Sequence, residues 1–394
     1  MTGTLPGPTV GVIGGGQLGR MLGEAATPLG MDLLVVDPTP DAPASPVARE
    51  QLVADFDDRE ALHELAERVD YLTYEIELAG TDVLEAVSEE TGTPVHPHPD
   101  TLRTIEDKLV QKRRLSDAGV PVPSFRGVES VDELRAALGE LGYPAMLKAR
   151  MGGYDGRGNV PIESPADVER AFETIVEAAP GASAESPSGA AMVEALVDFE
   201  RELAVMGVRG DDERDTFPVT ETIHREEILR ETISPARTDP GVRERAREVA
   251  LDVLDVMDGR GVFGIELFET ADGDVLLNEI APRPHNSGHW TIEGSLTSQF
   301  EQHLRAVAGW PLGGTDRRSP TVTANILGDV ERRQTATLRN VNRVLEADGA
   351  SLHYYGKQEV HRLRKMGHVT ALGDSDPTAL LDRIREIRDA LTFR

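Results

Sequence analysis

Two glutamates set against each other across a turn carry the clearest chemical signal in the chain. In the stretch 262–280, VFGIELFETADGDVLLNEI, Asp272-Gly273 between two apolar runs is a two-residue hairpin signal. A turn centred there pairs Ala271 with Asp274 and Glu266 with Glu279. Opposed carboxylates in such a ribbon have Cβ atoms about 5 Å apart, and like charges at that distance cost about 3 kcal/mol at an effective dielectric of about 20. A cross-strand pair returns at most about 1 kcal/mol, so the bare pair is unfavourable. A shared proton or a divalent cation relieves it, and oxygen ligands on a rigid ribbon favour Mg²⁺. The structural alternative is a slipped register with one glutamate solvated. Strict alternation puts Asn278 on the opposite face, so a part for it at the site needs its backbone or a strand-end bulge.

Lys148 ends the strand AMLK, and residues 152–158 read GGYDGRG. Such a loop can fold its amides over a polyphosphate while the strand-borne lysine meets the same phosphates as a point charge. Asp155 and Arg157 lie inside the loop, and no Gly-Lys-Ser/Thr follows, so it is not a P-loop. Just after the glutamates, residues 281–290 read APRPHNSGHW. Pro282 and Pro284 stiffen a segment that presents Arg283, His285, Asn286, Ser287 and His289, a density of polar side chains that suits the lining of a site.

Residues 14–19, GGGQLG, follow one apolar strand and open a helix, and Asp37 closes the next strand. That spacing fits a dinucleotide site with Asp37 on a ribose. Glycines at a helix amino terminus admit any phosphorylated ligand equally well, so NAD and another phosphate carrier rank together, ahead of a tight turn with no ligand.

These residues need elements to hold them. Strands at Val10–Ile13, Leu33–Val36 and Tyr71–Tyr74 alternate with helices at Gln17–Leu29, 58–68 and from Thr81, which predicts a parallel, doubly wound sheet. After the break PVHPHP at 94–99 a long helix is expected over 99–118. The pattern then becomes α+β: strand Ala145–Ala149, helix 165–178, a Gly/Ser/Ala/Pro tip at 180–190, strands at 190–194, 202–208, 217–223, 262–269 and 274–280, and a helix near 241–257. The tail predicts strand 321–327, helix 331–346, strand 366–372 and helix 377–391.

Composition bounds the possibilities. The 394 residues suffice for two or three domains, and the absence of cysteine excludes disulfides, thiolate metal sites and cysteine nucleophiles. A net charge of −28 repels phosphate backbones and anionic membranes, so neither nucleic acid nor membrane is expected as a partner. The dispersed acids suit a salt-rich cytoplasm, a halophilic setting, and the amino terminus lacks a signal-peptide pattern, so a cytoplasmic location is expected. Of 41 basic residues only Lys108, Lys112, Lys148, Lys357 and Lys365 are lysine, which marks them as candidates for work needing a compact point charge.

Taken together, GGGQLGRM at 14–21, TYEIE at 73–77, EDKLVQK at 106–112, GGYDGRG at 152–158, NEIAPRPHNSGHW at 278–290 and KMGH at 365–368 resemble the N5-carboxyaminoimidazole ribonucleotide synthases, ATP-grasp enzymes of purine biosynthesis, over essentially the whole chain. The resemblance implies an ATP-grasp fold in three parts: a Rossmann-like pre-ATP-grasp domain at 1–105, an ATP-grasp domain at 106–310 with a mobile lid at about 120–193, and a small C-terminal α+β domain at 311–394. It implies a homodimer that uses ATP, Mg²⁺, bicarbonate and 5-aminoimidazole ribonucleotide, and passes its product to N5-carboxyaminoimidazole ribonucleotide mutase.

Residue by residue, it implies that Lys108 and Lys148 contact the nucleotide phosphates and that Gly153, Tyr154, Asp155, Gly156, Arg157 and Gly158 close over them. Glu194, Ala195, Leu196 and Val197 form the adenine hinge, Glu202 takes the ribose hydroxyls, His224 lies near the nucleotide, and Asn278 sits beside the metal ligands Glu266 and Glu279. The ribonucleotide falls to Gln17, Leu18, Glu75, Glu77, His285, Asn286, Ser287, His289, Arg364 and Lys365, and the catalytic group to Tyr154, Asp155, Arg157, Arg283 and Lys357. The stretch after Lys357 is one residue longer than the family spacing. Three rival readings are weaker: a formate-dependent glycinamide ribonucleotide transformylase would read HDTG where His285-Asn286-Ser287-Gly288 stands, an NAD dehydrogenase would show no ATPase activity, and a non-catalytic nucleotide sensor would not need the glutamate pair.

Overall fold

In the computed structural model, which describes residues 3–152, 158–178, 191–374 and 376–393, the chain begins with a parallel sheet. Its elements run β1 (Thr9–Ile13), α1 (Gln17–Ala26), β2 (Asp32–Val36), β3 (Glu50–Leu52), α2 (Arg59–Ala66), β4 (Tyr71–Tyr74) and α3 (Thr81–Thr91), with strand order β3-β2-β1-β4. The alternation of strand side chains explains the layering. Val10, Val12, Leu33 and Val35 face α1, while Ile13, Leu34, Val36 and Tyr74 pack with α2 and α3. The doubly wound sheet expected from the sequence is present, with β3 as an added edge.

The helix expected over 99–118 is two helices, α4 (Pro99–Glu106) and α5 (Lys108–Asp117). Asp107 adopts an extended backbone (φ −94°, ψ 101°), and its carboxylate accepts from the Leu109 and Val110 amides at 3.0 and 3.2 Å. An aspartate cap restarts the helix, and Arg150 reinforces it with Nε 3.0 Å from the same carboxylate. A second layer follows: β5 (Phe125–Val128), α6 (Val131–Leu141), β6 (Ala145–Ala149), β7 (Asn159–Ile162), α7 (Val168–Ala178) and β8 (Ala191–Ala195). These strands form an antiparallel sheet in the order β5-β8-β6-β7 over its own apolar core.

The strands β9 (Phe199–Arg209), β10 (Arg214–Thr216), β11 (Thr220–Arg225), β12 (Ile228–Ser234), β13 (Gly261–Thr270) and β14 (Val275–Ala281) build the central sheet, backed by α8 (Pro240–Val256). Next come α9 (Thr291–Gly294), α10 (Gln299–Val307) and β15 (Thr321–Leu327). The tail does not hold the helix expected at 331–346. It forms β16 (Gln334–Thr335), β17 (Leu338–Arg339) and a single turn, α11 (Asn342–Leu345). Ala336 and Leu338, two residues apart, both pack on the tail core, and that period of two belongs to extended chain. The last elements are β18 (Ala350–Tyr354), β19 (Glu359–Val360), β20 (Lys365–Leu372), α12 (Pro377–Asp389) and β21 (Thr392–Phe393).

The tail strands extend the central sheet, giving the path β14-β13-β9-β11-β12-β15-β20-β18. Buried Glu231 on β12 pairs with Arg385 and Arg388 of α12 at 3.2 and 3.0 Å, fixing the tail helix to that sheet. Among the described residues no helix is long and apolar enough to cross a membrane.

Candidate active site

The β13–β14 ribbon does set Glu266 opposite Glu279, though not through the two-residue turn expected at Asp272-Gly273. The connection is a three-residue loop, because the Thr270 amide donates to Asp274 O at 3.0 Å and the Gly273 amide to Thr270 O at 2.9 Å. Gly273 takes φ +78°, a conformation that glycine supplies without strain. The loop shifts the register by one, so Leu267 pairs with Leu277 and Glu269 with Val275. A bulge between Glu266 and Leu267 leaves Asn278 as the extra residue and restores the Glu266–Glu279 pairing.

Burial pushes the Glu266 carboxyl up to about 7; His224 opposes this, while Glu279 and Glu202 add to it. Lys108 Nζ lies 3.3 Å from Glu279 Oε1, placed there by the helix restart after Asp107. His224 Nδ1 lies 2.9 Å from Glu202 Oε2. Burial lowers the His224 pKa, but the Glu202 hydrogen bond and the nearby Glu266 charge leave it raised. Among the described residues no group of three or more His, Asp or Glu side chains could hold a metal by itself. Two facing carboxylates fit Mg²⁺, which is commonly held by one or two carboxylates with phosphate oxygens and water completing the shell.

Across the cleft, buried Glu194 of β8 contacts Lys148 Nζ of β6, and its second oxygen lies 3.4 Å from Lys112 Nζ. The hinge after β8 is partly engaged: the Ala195 amide donates to Ser124 O at 2.8 Å and the Leu196 amide to Pro144 O at 3.4 Å, while Leu196 is exposed and Val197 half-buried. Gly153, Tyr154, Asp155, Gly156 and Arg157 lie outside the described residues. Gly158 is described, with φ +82° and its carbonyl accepting from the Ala149 amide at 2.8 Å.

At the amino-terminal end the glycine loop is closed by carboxylates of the chain itself. The Gly16 amide donates to Glu75 Oε1 at 2.7 Å, and the Gly15 amide to Asp37 Oδ2 at 2.9 Å. Asp37 also accepts from the Thr39 amide at 2.8 Å, so the acid that could hold a ribose is buried and engaged inside its own loop. A Cβ on Gly14 would stand 2.6 Å from Glu75 Cγ, which explains that glycine. Burial pushes the Glu75 carboxyl up to about 7 against the pull of Arg283, the Gly16 amide and Lys357. Gln17 and buried Leu18 begin α1 beside this carboxylate.

Arg283 joins the two ends, with Nη2 2.7 Å from Glu77 Oε1 and 3.0 Å from Oε2. His285 Nδ1 is 3.8 Å from Glu266 and 2.8 Å from Ser287 Oγ. Burial, then Arg283 and Lys365, holds His285 well below the usual imidazole range. Gln299 ties the segment down, accepting from the His285 amide at 2.9 Å and donating to its carbonyl at 2.8 Å. Asn286 and His289 are buried beside it.

From the tail, Lys357 Nζ donates to Lys365 O at 2.8 Å, and Arg364 Nη1 to Glu359 O at 2.7 Å. Lys365 acts electrostatically on Glu266, His224 and His289. Strand β20 stands five places from β13 along the sheet, about 24 Å in a flat sheet at the usual strand spacing. The sheet must therefore curl so that its two ends face one cleft.

Sequence reasoning gave no role to Lys112 or Gln299, nor to the half-buried His353, which stacks on buried His368 at 4.5 Å, as His368 does on His289 at 4.8 Å. Lys112 carried a usable signal, being one of so few lysines.

Family models agree with this architecture: a ribonucleotide synthetase preATP-grasp domain matches residues 8–106, an ATP-grasp domain 113–300 and a phosphoribosylaminoimidazole carboxylase C-terminal domain 321–381. Two N5-carboxyaminoimidazole ribonucleotide synthases illustrate the likeness. That of Bacillus subtilis is 39% identical, over 93% of this chain and 91% of its own. That of Pseudomonas aeruginosa is 40% identical, over 96% and 98%. The Aspergillus clavatus N5-carboxyaminoimidazole synthase, solved with ADP and 5-aminoimidazole ribonucleotide, superposes with TM-score 0.85 at 33% identity, over 97% of this chain and 98% of that one.

Proposed function

The chain belongs to the N5-carboxyaminoimidazole ribonucleotide synthase family of ATP-grasp ligases, and from that premise we propose that it carboxylates 5-aminoimidazole ribonucleotide with bicarbonate at the expense of ATP. The observation that carries this reading is the Glu266–Glu279 pair, with Lys108 on one side and Arg283–Glu77 on the other. Phosphate ligation and an acceptor site then share one cleft.

In this reading Lys108 and Lys148 bind the phosphates of ATP, Glu202 takes the ribose hydroxyls with His224 near the nucleotide, and 194–197 hold adenine. Glu266 and Glu279, with Asn278 beside them, hold Mg²⁺, which supplies charge neutralisation at the terminal phosphates. Bicarbonate oxygen attacks the γ-phosphorus, the bond to ADP breaks, and carboxyphosphate forms. The exocyclic amine of the ribonucleotide then attacks the carboxyl carbon, directly or as released CO₂; phosphate departs and the amine loses a proton. Arg283 and Arg157 offset the charge that develops during transfer. Gln17, Leu18, Glu75, Glu77, the 285–289 segment, Lys357, Arg364 and Lys365 orient the ribonucleotide. Closure of the 152–158 loop within the lid, 120–193, keeps water from the acyl phosphate.

The three units 1–105, 106–310 and 311–394, a cytoplasmic and salt-adapted setting, a homodimer, and delivery of the product to the mutase complete the proposal. An ADP-release assay that omits ATP, bicarbonate and ribonucleotide one at a time tests it. Full turnover is expected only with all three; turnover with formate in place of bicarbonate, or without the aminoimidazole, would refute it.

A further inference from the structure

Lys112 is a buried cation to which the proposed reaction assigns no part, beside two groups that it does use. Only 2% exposed, it is fixed from α5 by a 3.0 Å hydrogen bond to Leu277 O on β14, so it cannot reach a ligand in the cleft. Its other neighbour is Glu194, which also contacts Lys148. One buried carboxylate thus has two ammonium groups beside it. Burial alone would raise the Glu194 carboxyl, yet Lys112 and Lys148 hold it below its ordinary value. Burial lowers Lys112 to about 8, against the pull of Glu194.

We infer that Lys112 is a positioning residue for nucleotide binding: it keeps Glu194 neutralised so that Lys148 can leave that carboxylate for the polyphosphate. The inference rests on the reading of Lys148 as a phosphate contact. With both lysines present the cluster has one cation more than it has anions, and Lys148, nearer the cleft at 9% exposed, is the movable one. Without Lys112 the pair Lys148–Glu194 is neutral, and drawing Lys148 away strands a buried carboxylate, which is strongly unfavourable.

Titration calorimetry of the full chain with ADP and Mg²⁺ tests this, with thermal melts to confirm folding. Lys112→Met is expected to raise the dissociation constant at least tenfold. Glu194→Gln alone measures what the adenine hinge loses with its own carboxylate. The double variant Lys112→Met with Glu194→Gln also lacks the carboxylate that traps Lys148, and is expected to bind within about threefold of Glu194→Gln alone. A Lys112 that only packs, or only holds Leu277 O, would make the double variant at least tenfold weaker than Glu194→Gln, and that result overturns the inference. So does a single Lys112→Met variant that binds like the parent. If Lys112→Met does not fold, the double variant set against Glu194→Gln decides alone: affinities within threefold support the inference and a further tenfold loss overturns it. Lys148→Met separates this from the underlying reading. Unchanged binding there sinks the phosphate assignment itself, whereas weakened binding there with normal binding in Lys112→Met sinks only the inference.

Discussion

At the amino-terminal end of the cleft Glu75 and Asp37 each close a backbone amide, whereas at the ribbon end Glu266 and Glu279 face one another with Lys108 and His285 nearby. Both Asp37 oxygens are engaged within the chain, by the Gly15 and Thr39 amides, and Glu75 holds the glycine loop through Oε1. The ribbon end places like charges together and leaves a gap in charge that a cation would fill. Carboxylates that finish a fold can thus be told from carboxylates that wait for a ligand by asking what their oxygens already accept.

The comparison breaks most visibly at the ribbon. Glu279→Gln removes one of the facing charges and is expected to lower ribonucleotide-dependent ADP release by about a hundredfold or more; wild-type turnover in a coupled assay would end the metal assignment. Glu75→Gln probes the other end. The Glu75 carboxyl loses its proton near 4.5 when unfolded and at about 7 when folded, so the folded state holds a proton that the unfolded state has lost, and stability from this group falls as pH rises through that window. Urea melts should find the glutamine variant more stable than the parent by up to about 3 kcal/mol at pH 8, with the gap closing as pH falls toward 4.5. A constant gap would show that Glu75 titrates normally.

Asp37→Asn sharpens the contrast from the loop side. The side chain now has one acceptor oxygen for the Gly15 and Thr39 amides, so a loss of about 1–3 kcal/mol is expected in the same melts, with the KM for ATP unchanged. A shifted KM would mean that Asp37 meets the nucleotide. The smallest effect on stability belongs to Lys108→Met: its pair with half-exposed Glu279 is worth about 0.5 kcal/mol or less, while the KM for ATP should rise several-fold.

Much of this was legible in residue types, and the failures have physical causes. The parallel sheet followed from apolar runs whose alternate residues serve two faces. The glutamate pairing was reached through two deviations that cancel, a three-residue loop and a bulge at Asn278, neither of which hydrophobic alternation encodes. The split at Asp107 depends on a side chain capping the helix that follows and pairing with Arg150, a contact 43 residues away. Strand β12 contains Glu231, a charge that reads as surface until Arg385 and Arg388 are brought to it from the far end of the chain. The roles of Gly153–Arg157 rest on motif alone, since those residues lie outside the described structure.

The curl of the central sheet has a consequence for how chemistry could diverge on this scaffold. Glu266 and Lys365 hang from a single hydrogen-bonded ladder, so under the proposed assignments the separation of phosphoryl donor and acceptor would be set by backbone pairing rather than by loops. A descendant accepting a bulkier amine would have to trim side chains along 283–289 or on β20, because stretching the gap would mean unzipping strands between them.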